Sequence, residues 1–320
     1  GSLNARVSYT NDIGFVPNNE LEKINISLGG RSQVSDRVTL STSINVARTD
    51  YKSPPVSFGS GSGTGGQAGL SVFADLFYTP VSVDLLGLPF QAPSTNESVY
   101  YRSGNDIQNP RWTAEYASIL SLVTRLTTNT TATFQILDWL DFSYGLSLDT
   151  YTDQQEFRLN AGSVQNDGLI TGLYNTQTIV STVWQHDWRI SGSRDLSSDV
   201  ALQGSVGFQS RYDNFERDGT SSVNQLVFGF FEHSNFTANS SVNQLTNSDI
   251  QRRVEEKWNG LWGDFTVAYR EFLYFNVNAR NDWTSTLEPA NNSLLYAGGS
   301  VSFIPTTAFD IDNCPLNLLK

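Results

Sequence analysis

The sequence predicts an all-β, antiparallel up-and-down sheet of the transmembrane-barrel type, with about ten strands. Three observations predict it: long stretches of period-2 alternation, short turns that alternate with long polar loops, and an unusual composition. Hydrophobic residues make up 38% of the 320 residues and charged residues 16%, against roughly 45–50% and about 25% in average soluble domains. Ser, Thr, Asn, Gln and Gly fill the gap. Aromatic residues still reach 12%, so there is enough apolar surface to fold, and disorder is excluded on that ground.

Taken in order, Ile24, Ile26 and Leu28 alternate with Asn25 and Ser27. Val38, Leu40, Thr42, Ile44 and Val46 alternate with Thr39, Ser41, Ser43 and Asn45. Phe142, Tyr144, Leu146 and Leu148 alternate with Ser143, Gly145, Ser147 and Asp149. The pattern returns at Val200, Leu202, Val206 and Phe208, and at Leu273, Phe275, Val277 and Ala279. Residues two apart share one face of a strand, so each segment has a wet and a greasy side. A soluble sandwich also has such strands. The segments Arg37 to Tyr51 and Asp141 to Phe157, however, exceed the roughly 9–11 residues that cross a bilayer.

The connections separate into two kinds. Short turns are expected at Ser35-Asp36, Asp138-Trp139-Leu140, Asp195 to Asp199 and Arg270-Glu271. Long connections are expected from Ser53 to Leu122, Arg158 to Gln177 and Arg217 to Asp249. Short turns at one end and long loops at the other mark an outer-membrane barrel, with the long loops outside the cell. Within the first loop, Leu70, Phe73, Ala74 and Phe77 have helical spacing and predict a short helix ending near Tyr78.

Several chemistries lack the residues they need. A net charge of −12 argues against nucleic acid, which needs clustered Lys and Arg. Cys314 and the histidines His186 and His233 are too few for a metal or haem site, and no cofactor is expected. Gly61, Gly63 and Gly66 match a dinucleotide fingerprint in spacing, but they sit in a Gly/Ser run without a βαβ context, so the plainer reading is a loop. Glu255-Glu256 and the Asp149/Asp153 pair read as solvated charges, since nothing fixes a carboxylate separation. His186, in Trp184-Gln185-His186-Asp187-Trp188, reads as part of a strand near an aromatic girdle that includes Trp139 and Trp188. No catalytic residue is proposed, and the chain is expected not to be an enzyme.

The segment Tyr274-Phe275-Asn276-Val277-Asn278-Ala279-Arg280-Asn281-Asp282-Trp283-Thr284-Ser285-Thr286-Leu287 resembles a barrel strand of the SusC family (SusC/RagA) of TonB-dependent transporters from Bacteroidetes-type bacteria, which reads much like LNVTARNDWSSTL. Supporting matches are Asn109-Pro110-Arg111-Trp112, Asp138-Trp139-Leu140, Asp149-Thr150-Tyr151-Thr152-Asp153, and the stretch from Tyr296 through Phe303 to Phe309. They run from Tyr9 to Phe309 in the family's order. The resemblance implies that residues 1–320 form a partial barrel domain, about ten of 22 strands. The plug domain, the carboxypeptidase-like N-terminal domain, the TonB box and the C-terminal barrel strands are then expected outside this chain.

The resemblance further implies import of a nutrient across the bacterial outer membrane, an oligosaccharide first and an oligopeptide next. A SusD-like lipoprotein would cap the barrel, and the TonB-ExbB-ExbD complex would act through parts outside this chain. Outer-membrane lipid would contact the wall. The residues expected to face the lumen or plug are Asp149, Tyr274, Asn276, Asn278, Arg280 and Asp282, with Arg280 and Asp282 two apart on one face and able to pair. Tyr100, Tyr101, Trp112, Phe230 and Phe231 are the loop candidates for a ligand or partner. The alternatives are a secreted or surface β-rich adhesin, which predicts solubility without detergent, and a barrel enzyme, which needs a Ser/His/Asp constellation absent from any recognisable motif.

Overall fold

The computed structural model of the protein describes residues 1–56, 70–101, 107–163, 171–243 and 248–309. In chain order the strands are β1 (Ser2–Ile13), β2 (Glu20–Ser35), β3 (Val38–Ser53), β4 (Ala117–Leu137), β5 (Leu140–Leu159), β6 (Leu173–Asp195), β7 (Val200–Gln225), β8 (Phe236–Ser240), β9 (Val242–Asn243), β10 (Ser248–Asp249), β11 (Arg252–Tyr269), β12 (Leu273–Thr284) and β13 (Ser293–Phe303). Helix α1 is Val72–Tyr78, α2 is Pro110–Tyr116 and α3 is Pro305–Ala308. One antiparallel sheet runs in the order β1-β2-β3-β4-β5-β6-β7-β11-β12-β13, and β8 pairs on β7. The expected up-and-down wall is therefore present. Gly61, Gly63, Gly66 and Cys314 lie outside the described residues.

All four expected short turns close hairpins at one end of the wall. At Arg270-Glu271 the backbone has φ of 47° and 59°. Positive φ at both central residues is the geometry whose twist matches that of the flanking strands. Asp199 reinforces this end, with Arg270 Nη2 donating to its Oδ2 at 3.2 Å.

Register fixes the two faces. Thr127 pairs with Asp149, Asp149 with Val183, Val183 with Asp213, Asp213 with Glu256, and Gly260 with Asp282. Paired residues in an antiparallel ladder lie on one face, so these positions define a single polar surface. A groove of about 760 Å³ lies on that surface, lined by side chains from β1 to β7. The opposite face carries Ile26, Leu28, Leu40, Ile44, Val46, Leu146, Leu148, Trp184, Ile190, Val206, Phe265, Phe275 and Val277. Many of these are large exposed apolar side chains, for example Val277 at 60% exposure. A contiguous exposed apolar surface of this extent needs a covering partner.

The long-loop ends differ from the sequence expectation. β4 begins at Ala117, β6 at Leu173, and β7 continues to Gln225, so the strands invade all three expected loops. The reason is a change of phase. Beyond Thr150 the outward positions become Thr152, Gln154, Glu156 and Arg158, while the inward ones become Phe157 and Leu159. Phe157, Leu159, Leu173 and Ala117 are buried with Leu70 and Trp112 in a small core on the inner side of the strand tops.

That core belongs to a built layer of loops. The expected helix is α1, capped by Ser71, whose side chain accepts from the Ala74 N–H. Helix α2 has Asn109 as its cap and Pro110 in its first turn, the position where Pro lacks no needed donor. Asn160 ties the three long loops together: its N–H donates to Tyr116 O at 3.1 Å, and its Oδ1 accepts from Gly229 N–H at 2.7 Å and Gln225 Nε2 at 3.3 Å. Asp75 joins α1 to α2. Its carboxyl accepts from Gln108 N–H at 3.4 Å and is bonded to Thr113 Oγ1 at 2.9 Å. Burial pushes this carboxyl up to about 8, because desolvation disfavours the charged form more than two hydrogen bonds restore it.

Candidate functional site

The polar face of the wall concentrates the groups able to contact a solute. On β4 and β5, Arg125 Nε donates to Asp149 Oδ1 at 2.8 Å. On β7, Arg211 Nε donates to Asp213 Oδ1 at 2.8 Å. On β12, Arg280 Nε donates to Asp282 Oδ1 at 2.8 Å, the pairing that the spacing of two predicted. Arg280 Nη2 reaches Gln209 Oε1 on β7 at 3.0 Å, and Gln209 Nε2 donates to Asp187 Oδ1 on β6 at 2.9 Å. Gln185 Nε2 adds a second donor to Asp187 at 2.9 Å. The result is a continuous polar chain from β6 to β12.

That chain crosses β11 at Gly260. A Cβ there would lie 2.6 Å from both Arg280 Nη2 and Asp282 Oδ1, so the missing side chain makes the crossing possible. Trp258, Glu256 and Arg211 frame a second cavity of about 350 Å³ with Arg280 and Asp282. Arg211 also borders the larger groove that contains Asp149, so one side chain adjoins both spaces. Charged hydrogen-bonded networks of this kind hold fixed donor and acceptor positions. With guanidinium, amide and carboxylate groups as its members, the surface offers polar recognition of both signs of charge.

The remaining inward candidates lie lower on the same face. Asn276 Nδ2 donates to Asp264 Oδ2 at 3.0 Å and Thr266 Oγ1 at 2.9 Å, and Asn278 Nδ2 to Asn276 Oδ1 at 3.2 Å. Tyr274 is on that face too, beside the Arg270-Glu271 turn and opposite Ala268. All six sequence candidates therefore share one face, but Tyr274 stands apart from the ionic cluster. The sequence reading missed Arg125, Asp187, Gln209, Arg211 and Asp213 as site residues, and named Glu256 only as a solvated charge. Their alternation was visible, but the register that brings four strands together was not.

The five loop candidates do not form one surface. Trp112 is fully buried, and its indole N–H donates to Asn96 O at 2.9 Å. Its expected contact with a ligand is corrected: the side chain is the centre of the loop core. Tyr100 and Tyr101 pack ring to ring at 4.6 Å, with the Tyr100 hydroxyl 2.6 Å from Thr79 Oγ1. Phe230 is 48% exposed. Phe231 packs on Tyr174 at 5.8 Å, on the outward side of β6. Near it, His233 lies between Thr176 Oγ1 at 2.8 Å and Ser222 Oγ at 2.6 Å, and burial lowers its pKa. Among the described residues no group of three or more His, Cys, Asp or Glu is placed to hold a metal ion.

No protein-family model matches the chain, and no curated protein matches it. Solved structures do. The RagAB peptide transporter superposes with a TM-score of 0.72 at 13% identity, over 97% of this chain and 33% of that one. The RagAB peptide importer in its open-open state gives 0.71 at 13% identity, over 98% and 33%. In the closed-closed state the values are 0.70 and 13%, over 96% and 33%. The chain thus spans about a third of the length of the chains it matches. At this identity the likeness is one of fold, and the fold is the barrel wall that the SusC-like resemblance implied.

Proposed function

We propose that this chain is part of the wall of a TonB-dependent importer in a bacterial outer membrane. The observation that carries the reading is the two-faced wall itself. One face exposes a belt of Ile, Leu, Val and aromatic side chains, and the other is crossed by the Asp187–Gln209–Arg280–Asp282 chain. Lipid covers the first face and a water-filled path or a plug meets the second. The adhesin alternative has no cover for the apolar belt.

In this reading residues 1–320 are the partial barrel domain, and the plug and the contact with TonB-ExbB-ExbD belong to parts of the polypeptide outside it. Asp149, Tyr274, Asn276, Asn278, Arg280 and Asp282 line the path or hold the plug, and a SusD-like lipoprotein caps the loop layer. No bond in the cargo is made or broken. Charges of both signs at fixed positions suit the termini and amides of an oligopeptide, the cargo named for the RagAB transporter. The oligosaccharide expected from sequence has only exposed loop rings to recommend it.

The test is uptake by cells that carry or lack the full-length protein, with TonB active or inactivated. Labelled oligopeptides entering only when both are present is the expected result. Recovery of the protein in the soluble fraction without detergent sinks the membrane reading, and TonB-independent uptake sinks the importer reading.

A further inference from the structure

The outer face carries a feature that a plain lipid-facing wall does not need. Gly192 on β6 pairs directly with Gly204 on β7, and both point outward near the short-turn end. Two aromatic rings lie down over these glycines. A Cβ on Gly192 would meet Trp139 Cε3 at 3.3 Å and Trp139 O at 2.9 Å, and one on Gly204 would meet Phe265 Cδ1 at 2.4 Å. Between the rings is a cleft of about 180 Å³, walled by Ile190 and Val206 and lined almost wholly by apolar atoms.

Arg194 stands at the mouth of this cleft, one residue from the end of β6. Its guanidinium lies 5.6 Å from the Trp139 ring centroid, and among the described residues it has no carboxylate partner. A cation at the water interface above an apolar slot, beside an interfacial tryptophan, is the arrangement that receives an anionic head and a hydrocarbon tail together.

We propose that this cleft is a binding site for one glycerophospholipid of the periplasmic leaflet, with an acyl chain between Trp139 and Phe265 and the phosphate against Arg194. The proposal rests on the membrane reading above, since it needs the outward face to meet lipid and the short turns to face the periplasm. The Gly192–Gly204 pair lets the two rings lie close to the sheet, the rings give the slot its sides, and Arg194 selects the charge.

The experiment is native mass spectrometry of the full-length protein, delipidated in detergent and titrated with phosphatidylglycerol or with diacylglycerol of the same chains. Wild type is expected to retain one phosphatidylglycerol and no diacylglycerol. Arg194→Gln is expected to weaken retention at least tenfold, and Val206→Trp, which fills the cleft from its exposed wall, to abolish it. Both substitutions sit at exposed positions, and the heat-modified mobility of a folded barrel checks that each variant folds. Retention equal for the two lipids, or unchanged in both variants, overturns the site while leaving the importer reading intact. A protein that needs no detergent overturns both.

Discussion

At Gly260 the absence of a side chain sets the course of the ionic chain that crosses the inner face. The atoms a Cβ would strike, Arg280 Nη2 and Asp282 Oδ1, are ends of side chains and can swing away. Gly260→Val is therefore expected to leave the barrel folded and to displace Arg280 from Gln209. In a double-mutant cycle with Gln209→Ala, measured by urea unfolding, the two changes should fall short of additivity by about 0.5–1 kcal/mol. Strict additivity would mean that Arg280 keeps its contact. Asp75 makes a second prediction. Its folded-state pKa of about 8 lies above the ordinary 3.8, so the folded loop layer binds the proton more tightly than the unfolded one. Stability from this group is full below 3.8 and falls as pH rises towards 8. Asp75→Asn mimics the protonated acid, with an amide donor towards Thr113 and an acceptor for Gln108 N–H. Hydrogen exchange of α1 and α2 in this variant should be independent of pH across that window once the intrinsic rate is removed, and wild type should lose on the order of a few kcal/mol. A wild type equally protected at both ends of the window would refute the buried neutral carboxyl.

The elements show where sequence reading succeeds and where it stops. The strands were legible through the belt because a sheet with one apolar and one polar face alternates strictly, as in Phe142 to Leu148. The two-residue turns were legible for the same reason, since each interrupts a pattern that resumes at once. Above Thr150 the rule changes. Polar side chains lie outside, the loop core lies inside, and Phe157 and Leu159 take inward positions. A reader following the belt pattern ends the strands too early there. Trp112 misled in a related way: an aromatic in a polar loop reads as a binding residue, whereas here Leu70, Leu159 and Leu173 surround it. The inner-face candidates were half legible, because parity gives the face but only register gives neighbours such as Arg211 and Gln209. If the loop layer is a folded unit, Trp112→Ala should cost about 3–5 kcal/mol of its local stability. Limited proteolysis should then cut between residues 70 and 116 while the strands below stay protected. Cleavage no faster than in wild type would show that the layer does not depend on this core.

For the molecule as a whole, the assignment of faces is the claim on which the rest depends, and neighbouring residues on β5 test it directly. Leu146 points outward and pairs with His186, whereas Ser147 points into the inner groove and pairs with Gln185. The outward surface at this level is finished with rings: the Tyr144 hydroxyl is 2.8 Å from His186 Nδ1, and His186 stacks on Trp188 at 5.6 Å. One ring nitrogen of this outward histidine, Nδ1, is thus engaged by the tyrosine hydroxyl. Placing a guanidinium at Leu146 leaves it facing lipid, at a cost of about 2–4 kcal/mol near the midplane. At Ser147 the same group meets water and Asp149 two residues along, so its cost should be under about 1 kcal/mol. Unfolding of Leu146→Arg and Ser147→Arg by urea, with the full-length protein in lipid vesicles, reads the difference. The ordering Leu146→Arg far below Ser147→Arg is expected in vesicles. In detergent the gap should narrow, because a thin micelle lets a long side chain reach water. The reverse ordering in vesicles would place lipid on the polar face and overturn the transport path, the lipid site and the lumen assignment together.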